Sequence, residues 1–342
     1  MKWSWVVVLT AVALLVPVAC ARNGWEARAP QNLVDALGLP FQVVLPGSLP
    51  HGMYLTRLQS EPGQVVIDGG GARKSDRNLV TLTFGNGMHE GPGAAWFWLY
   101  QSPPGAVEGE RSDANTMVWG VRVTVLGDPP NRLSAWWKAE DLNFHLRTLT
   151  DGALTREDVL DIIASTIDPN RRLLMVPDTV SRALGVPFSV AVPSSLPKRV
   201  ELQEVNVFPA SRWPQPVPQF SPGFWGPVGF SDAVQREQTL VRLAFVEATT
   251  VRVEGNLSRR QDGRFWLELY ESAGRSSGAP GAEPIKIAEV PVFFSSESRA
   301  TRLTPLWSLA WTKGGLGFYV LAHPTLFTKE ELLAVAAATL GQ

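Results

Sequence analysis

Cysteine is nearly missing from this chain: its 342 residues carry one, Cys20. No intrachain disulfide can form, so the fold must rest on burial and hydrogen bonding. Histidine is scarce as well. His51, His89, His145 and His323 show no His-x-x-x-His pair and no carboxylate at ligand spacing, so neither a metal site nor a cofactor is expected. Charged residues make up only 18%, and 31 Lys+Arg against 32 Asp+Glu leave a formal net charge of −1. That balance gives no electrostatic footprint for nucleic acid. No nucleophile elbow and no Gly-Lys-Ser/Thr phosphate loop are read in the chain. Gly85-Asn86-Gly87 before Gly91 has the wrong spacing for a dinucleotide loop and reads as a hairpin turn. Glu157, Asp158 and Asp161 read as solvated first turns of a helix, where carboxylates complement the dipole. On these absences the chain is expected not to be an enzyme.

Long apolar runs are also lacking, apart from one at the start. After Met1-Lys2, residues 3–18 are apolar except for Ser4 and Thr10, and Val18-Ala19-Cys20-Ala21 follows. This is the grammar of a secretory signal, short for a mature membrane span. Residues 1–20 are read as signal peptide and 21–29 as a tether. Cys20 resembles the cysteine of the bacterial lipobox, which is lipidated and becomes the mature N-terminus. Pro17 departs from that pattern, and an ordinary cut after Ala21 is the rival reading. The position of the one cysteine favours lipid attachment at Cys20. The expected location is therefore extracytoplasmic and membrane-anchored, with secretion as the alternative.

What the chain has in quantity is itself, twice. Residues 36–50, ALGLPFQVVLPGSLP, return at 183–197 as ALGVPFSVAVPSSLP, displaced by 147 positions, with ten of fifteen residues identical. Such a match marks an internal repeat. Each copy offers an apolar run between prolines, which suits a short strand, with a helical turn before it (31–37 and 178–184) opened by Pro30 or Pro177. In the next strands Met53 and Leu55 alternate before Leu58 falls out of phase, and Val200, Leu202 and Val205 slip at the same place. A shared slip predicts a β-bulge in both copies.

Further on, Val80 to Phe84 matches Val241 to Phe245, and Leu99-Tyr100-Gln101-Ser102 matches Leu269-Tyr270-Glu271-Ser272. Residues 117–125 and 285–294 read as one strand each. Asp262-Gly263 reads as a hairpin turn and 61–71 as a plain turn-rich loop. Trp137 and Trp311 each precede a turn and a strand, with His145 aligned on Tyr319. Thr328 with Glu331 fits a capping box for a helix over 328–340, and Thr155 with Asp158 a weaker one over 155–167.

The expected architecture is α+β: two homologous domains (30–167 and 177–342) joined by a linker (168–176), each a mostly antiparallel sheet with a C-terminal helix on one face. The Pro-bounded opening strand with Leu-Pro, the Trp hairpin and the capped closing helix together resemble an uncharacterised domain family of bacterial extracytoplasmic proteins. The resemblance covers nearly the whole mature chain in two copies. It implies a fold and a location, with members tethered outside a membrane segment, some beside sporulation or anti-sigma-factor components. It implies no catalytic residues.

The copies diverge most at 208–238, where Trp213, Phe220, Phe224, Trp225 and Phe230 stand among prolines. Those aromatics are candidate partner-binding residues, because exposed aromatic clusters are uncommon without a partner. The rival reading packs them onto their own sheet. The leading expectation is a membrane-tethered binding or sensing protein whose partner is an envelope protein. The alternative is a carrier or chaperone that holds an apolar ligand between sheet and helix.

Overall fold

The computed structural model describes residues 32–61, 64–68, 71–75, 79–86, 95–104, 115–128, 132–149, 152–197, 200–208, 239–247, 249–254, 257–261, 266–273, 276, 281–301 and 304–341. Cys20 and the apolar start lie outside these residues, as do Trp213, Phe220, Phe224, Trp225, Phe230 and the Asp262-Gly263 pair.

In chain order, α1 (Leu33–Leu37) is followed by β1 (Val44–Leu45), β2 (Tyr54–Ser60), β3 (Gln64–Asp68), β4 (Gly71–Ser75), β5 (Val80–Gly85) and β6 (Trp96–Ser102). Then come β7 (Asn115–Val118), β8 (Val121–Leu126), β9 (Ser134–Ala139), β10 (Leu142–Thr148) and α2 (Arg156–Ile167). The second copy runs through β11 (Leu173–Leu174), α3 (Pro177–Ala183), β12 (Val200–Phe208), β13 (Leu240–Glu247), β14 (Thr249–Glu254), β15 (Leu257–Gln261) and β16 (Trp266–Ala273). It closes with β17 (Glu283–Ile287), β18 (Val290–Thr301), β19 (Thr304–Lys313), β20 (Leu316–Ala322) and a last helix, α4 (Lys329–Leu340).

The protein is mostly antiparallel β with a few helices. Two separate domains are not what the strands build: fourteen of them form one continuous sheet. Outward from its centre the first copy runs β2-β5-β6-β10-β9-β8-β7, and the second runs β12-β13-β16-β20-β19-β18-β17. The order is the same in both. The copies meet where β2 and β12 pair antiparallel, and Leu58 faces Val205, its own counterpart at offset 147. A pseudo-two-fold axis therefore passes through the sheet between these two residues. Across it Arg57 donates to Glu204, again its own counterpart, at 2.6 Å. Burial would raise the Glu204 carboxyl, but Arg57, Asn206 and Arg242 outweigh burial and hold it below the ordinary value.

The predicted bulges are present at equivalent positions. Pairing skips Thr56 in β2 and Gln203 in β12, which brings Leu58 and Val205 onto the same face as Leu55 and Leu202. That face carries one apolar core running through both copies, and both closing helices bury into it. Val159, Ile162 and Ile163 of α2 and Leu332, Val335 and Ala336 of α4 are fully buried. Each of the larger ones contributes about 2 kcal/mol by leaving water. Leu160, Ile167 and Leu333 of the same helices are only partly buried. Both helices start with reciprocal capping boxes, Thr155 with Asp158 and Thr328 with Glu331, so the first is no weaker in kind than the second.

Several local expectations are corrected. Helix α1 starts at Leu33, because Asn32 accepts from the Val34 and Asp35 N–H groups and is a better cap than anything upstream. Residues 117–125 and 285–294 are each two strands. Trp119-Gly120 and Ala288-Glu289 turn the chain with both φ angles positive. Residues 61–71 are not a plain loop, since β3 pairs with β4 and, in parallel, with β14 of the other copy. The small sheet β15-β14-β3-β4 thus ties the copies together a second time. The strands on either side of Asp262-Gly263 lie in different sheets, so they do not form a hairpin.

The apolar run at 36–50 yields only β1, which pairs with β11 from the expected linker. That linker is part of the fold. A Cβ on Gly47 would lie 1.5 Å from the Arg171 carbonyl oxygen, so glycine alone permits the approach. Arg171 and Arg172 of the linker are partly buried and ion-paired to Asp161 and Glu140.

Each copy also fixes its opening segment from β6 or β16. Gln101 accepts from the Val44 N–H at 2.9 Å and donates to the Val44 carbonyl at 2.6 Å. In the second copy Glu271 accepts from the Ala191 N–H at 2.9 Å, and its other oxygen is buried without a partner. Burial pushes the Glu271 carboxyl up to about 8, against the smaller opposing pull of the Ala191 N–H.

Candidate functional site

The face of the sheet opposite the helices differs between the copies. In the first copy the register sets Thr124, Trp136, His145 and Tyr100 side by side on neighbouring strands. Directly paired residues share a face, so these four point away from the core, as their strand neighbours Val123, Trp137, Phe144 and Leu99 point into it. The rings stand as a ladder. Trp136 and His145 stack at 4.6 Å and 8°, and His145 and Tyr100 at 5.2 Å and 22°. The next row holds Lys138, Asn143 and Ser102. Val123 pairs with Trp137, which puts Arg122 opposite Lys138 at the following position.

Together these residues line an open cavity of about 380 Å³. His145 is held neutral in it: burial, with Arg147 adding to it, lowers the imidazole from 6.5 to about 4, and its Nε2 is buried without a partner. Leu79 also lines the cavity, and no carboxylate is among the described residues of its lining.

The second copy repeats the row with other residues and closes it. Phe293, Ala310, Tyr319 and Tyr270 occupy the matching positions. Ala310 and Tyr270 are 1% exposed and Tyr319 is 0% exposed, within a separate apolar cluster. The Tyr270 hydroxyl donates to Glu268 at 2.6 Å, and Glu268 also holds Arg242. One copy therefore keeps an accessible aromatic and cationic face where the other buries an apolar one.

Cys20, Trp213, Phe220, Phe224, Trp225 and Phe230 are outside the described residues. His145, which the sequence aligns with Tyr319, is among the residues that line the cavity. Tyr100, Arg122, Trp136 and Lys138 were missed. Their signal was present in the matched hairpins: once Trp137 is set on Trp311, the pairs Trp136/Ala310, Lys138/Thr312 and His145/Tyr319 change together while the core positions hold.

Two of the acidic trio, Asp158 and Asp161, make structural contacts. Asp158 donates its N–H to the Thr155 hydroxyl, accepts from the Thr155 N–H and meets His51 Nε2 at 3.2 Å, while Asp161 accepts from Ser48 and Arg171. Among the described residues no group of three His, Cys, Asp or Glu could hold a metal ion. Gly274-Arg275-Ser276-Ser277-Gly278 does fit Gly-x-Ser-x-Gly, contrary to the reading above. It follows β16 and leads into β17, whereas a nucleophile elbow joins a strand to a helix. Ser276 is buried, and its backbone N–H donates to Thr312. No protein-family model matches the chain, and no curated protein is similar to it.

Proposed function

We propose that this chain is an extracytoplasmic, membrane-tethered binding protein that takes its ligand on the outer face of the first copy and catalyses no reaction. One observation carries the reading: the cavity over Trp136, His145 and Tyr100 is open, while the matching face of the second copy is filled. Duplication frees one copy to specialise, and an open aromatic pocket with a few polar groups is the usual form of a ligand site. Against catalysis, a neutral His145 has no carboxylate among the described lining residues to orient it as a base. The apolar start and Cys20 support the tether, as does the resemblance to extracytoplasmic domains. Among the described residues no helix is long and apolar enough to cross a membrane. The finer architecture belongs to the same proposal: two homologous α+β units, fused by duplication into one sheet.

The carrier alternative has less support, because a ligand between sheet and helix would have to displace fully buried Val159, Ile162 and Ile163. The aromatic segment at 208–238 is retained as a second candidate face for a protein partner.

Native mass spectrometry of the mature protein, purified from its own envelope, tests the reading. A bound small molecule is expected on the wild type and is expected to be lost from a folded Trp136→Ala, Tyr100→Ala variant. A ligand retained by that variant, or converted to product by the wild type, overturns the proposal.

A further inference from the structure

The geometry points to a ring compound bearing one oxyanion group, a carboxylate or a phosphate, as the ligand of the first copy's cavity. This rests on the reading of that cavity as a binding site and adds what the site recognises.

The anionic half of the argument starts from Arg122 and Lys138. The β8–β9 register sets them opposite one another, and among the described residues neither has an ion-pair partner. Like charges directly across a strand pair are unfavourable, and an oxyanion placed between them removes the repulsion. An arginine fork beside a mobile ammonium suits either a carboxylate or a phosphate. Among the described lining residues no carboxylate competes for the two cations.

The ring half comes from the wall. Leu79 and the ladder of Trp136, His145 and Tyr100 form an apolar side to the same cavity. Stacking occupies the ring faces inside the ladder, so the ladder offers edges, whose positive quadrupole favours an electron-rich ring set against them. His145, neutral at ordinary pH, adds no charge that would attract a cation or repel one. A volume of about 380 Å³ fits a small molecule and not a folded partner.

The second copy is the internal control. Thr312 stands where Lys138 does, Pro291 matches Arg122, and there the face is closed. Cations and cavity are lost together.

Isothermal calorimetry on the mature chain, with phenyl phosphate, benzoate, benzyl alcohol and inorganic phosphate as probes, tests the inference. At least one ring anion is expected to bind saturably, with benzyl alcohol and inorganic phosphate weaker by about tenfold or more. Arg122→Ala and Lys138→Ala should each weaken the ring anion by about tenfold, and the distant Arg182→Ala should not. The bound anion should also raise the His145 imidazole pKa, read by NMR, because an added negative charge favours the imidazolium. Equal binding of benzyl alcohol would overturn the anionic assignment while leaving the binding site standing. Equal binding of inorganic phosphate would overturn the ring. No saturable binding of either ring anion up to about 10 mM overturns the inference, and the mass-spectrometric test of the binding site stands apart from that result.

Discussion

At the scale of single residues, the most informative pair is Gln101 and Glu271. They hold equivalent chain segments, but only Gln101 can satisfy both backbone groups of its partner residue at every pH. A carboxyl at the same place reproduces that pattern only when protonated, with one oxygen accepting and the other donating. Its folded-state value of about 8 lies above the ordinary 4.5, so the folded protein holds a proton there that the unfolded chain releases. The contribution is complete below about pH 4.5 and falls as pH rises toward 8, by roughly 1.4 kcal/mol per unit, then stays flat. Glu271→Gln should remove this slope. In urea unfolding the variant should be distinctly more stable than wild type near pH 8 and close to it near pH 5. Gln101→Glu should bring the same slope into the first copy. Parallel pH profiles for wild type and Glu271→Gln would show that Glu271 is charged in the folded state and that its second oxygen has found a donor.

At the scale of elements, the hairpins show how far turn chemistry reaches. Glu140-Asp141 and Gly314-Gly315 occupy the same turn in the two copies, all four with positive φ. Glycine enters that region freely, while Glu and Asp do so at a cost. The β17–β18 turn is the least favourable case, since Ala288 (φ 45) and Glu289 (φ 66) both lack a reason to be there. The Lys286–Glu289 pair across it is exposed on both sides and contributes little. Replacing the turn by Asn-Gly, through Ala288→Asn with Glu289→Gly, should stabilise the protein by about 1 kcal/mol. Thermal unfolding would show this as a rise of a few degrees. An unchanged or lower Tm would mean that the strands, and not the turn, set the conformation.

At the scale of the whole molecule, the central question is why two copies become one sheet. Strands β2 and β12 each present an edge, and pairing them covers both. The same register would let a first copy pair with another first copy, but Arg57 would then meet Arg57 in place of Glu204. The charge pair favours the joined arrangement over self-association. Removing the second copy should therefore not leave a folded monomer. Residues 30–176 expressed alone are expected to aggregate or self-pair in light scattering, and to form a 1:1 complex when co-expressed with 177–342. A stable monomeric 30–176 with the native sheet would show that the continuous core divides at the β2–β12 seam.

The sequence by itself determined the duplication, both bulges, the capped helices and the Trp-Phe hairpins, whose rings stack at 5.0 Å in one copy and 5.3 Å in the other. Each of these depends on residues close in the chain, through side-chain periodicity, turn conformation or cap geometry, and so is written in a short window. It could not show that β2 would pair with β12, that β3 would lie parallel to β14, or that a linker arginine would rest on Gly47. Nor could it show which aromatic face is open. Tyr100 and Tyr270 look alike in sequence, and both alternate as strand residues should. Only the packed neighbours separate them: Phe293, Ala310 and Tyr319 seal one, while Arg122, Lys138 and Trp136 leave the other beside a cavity. Burial is a property of what the rest of the chain brings to a surface, and only the tertiary structure decides that.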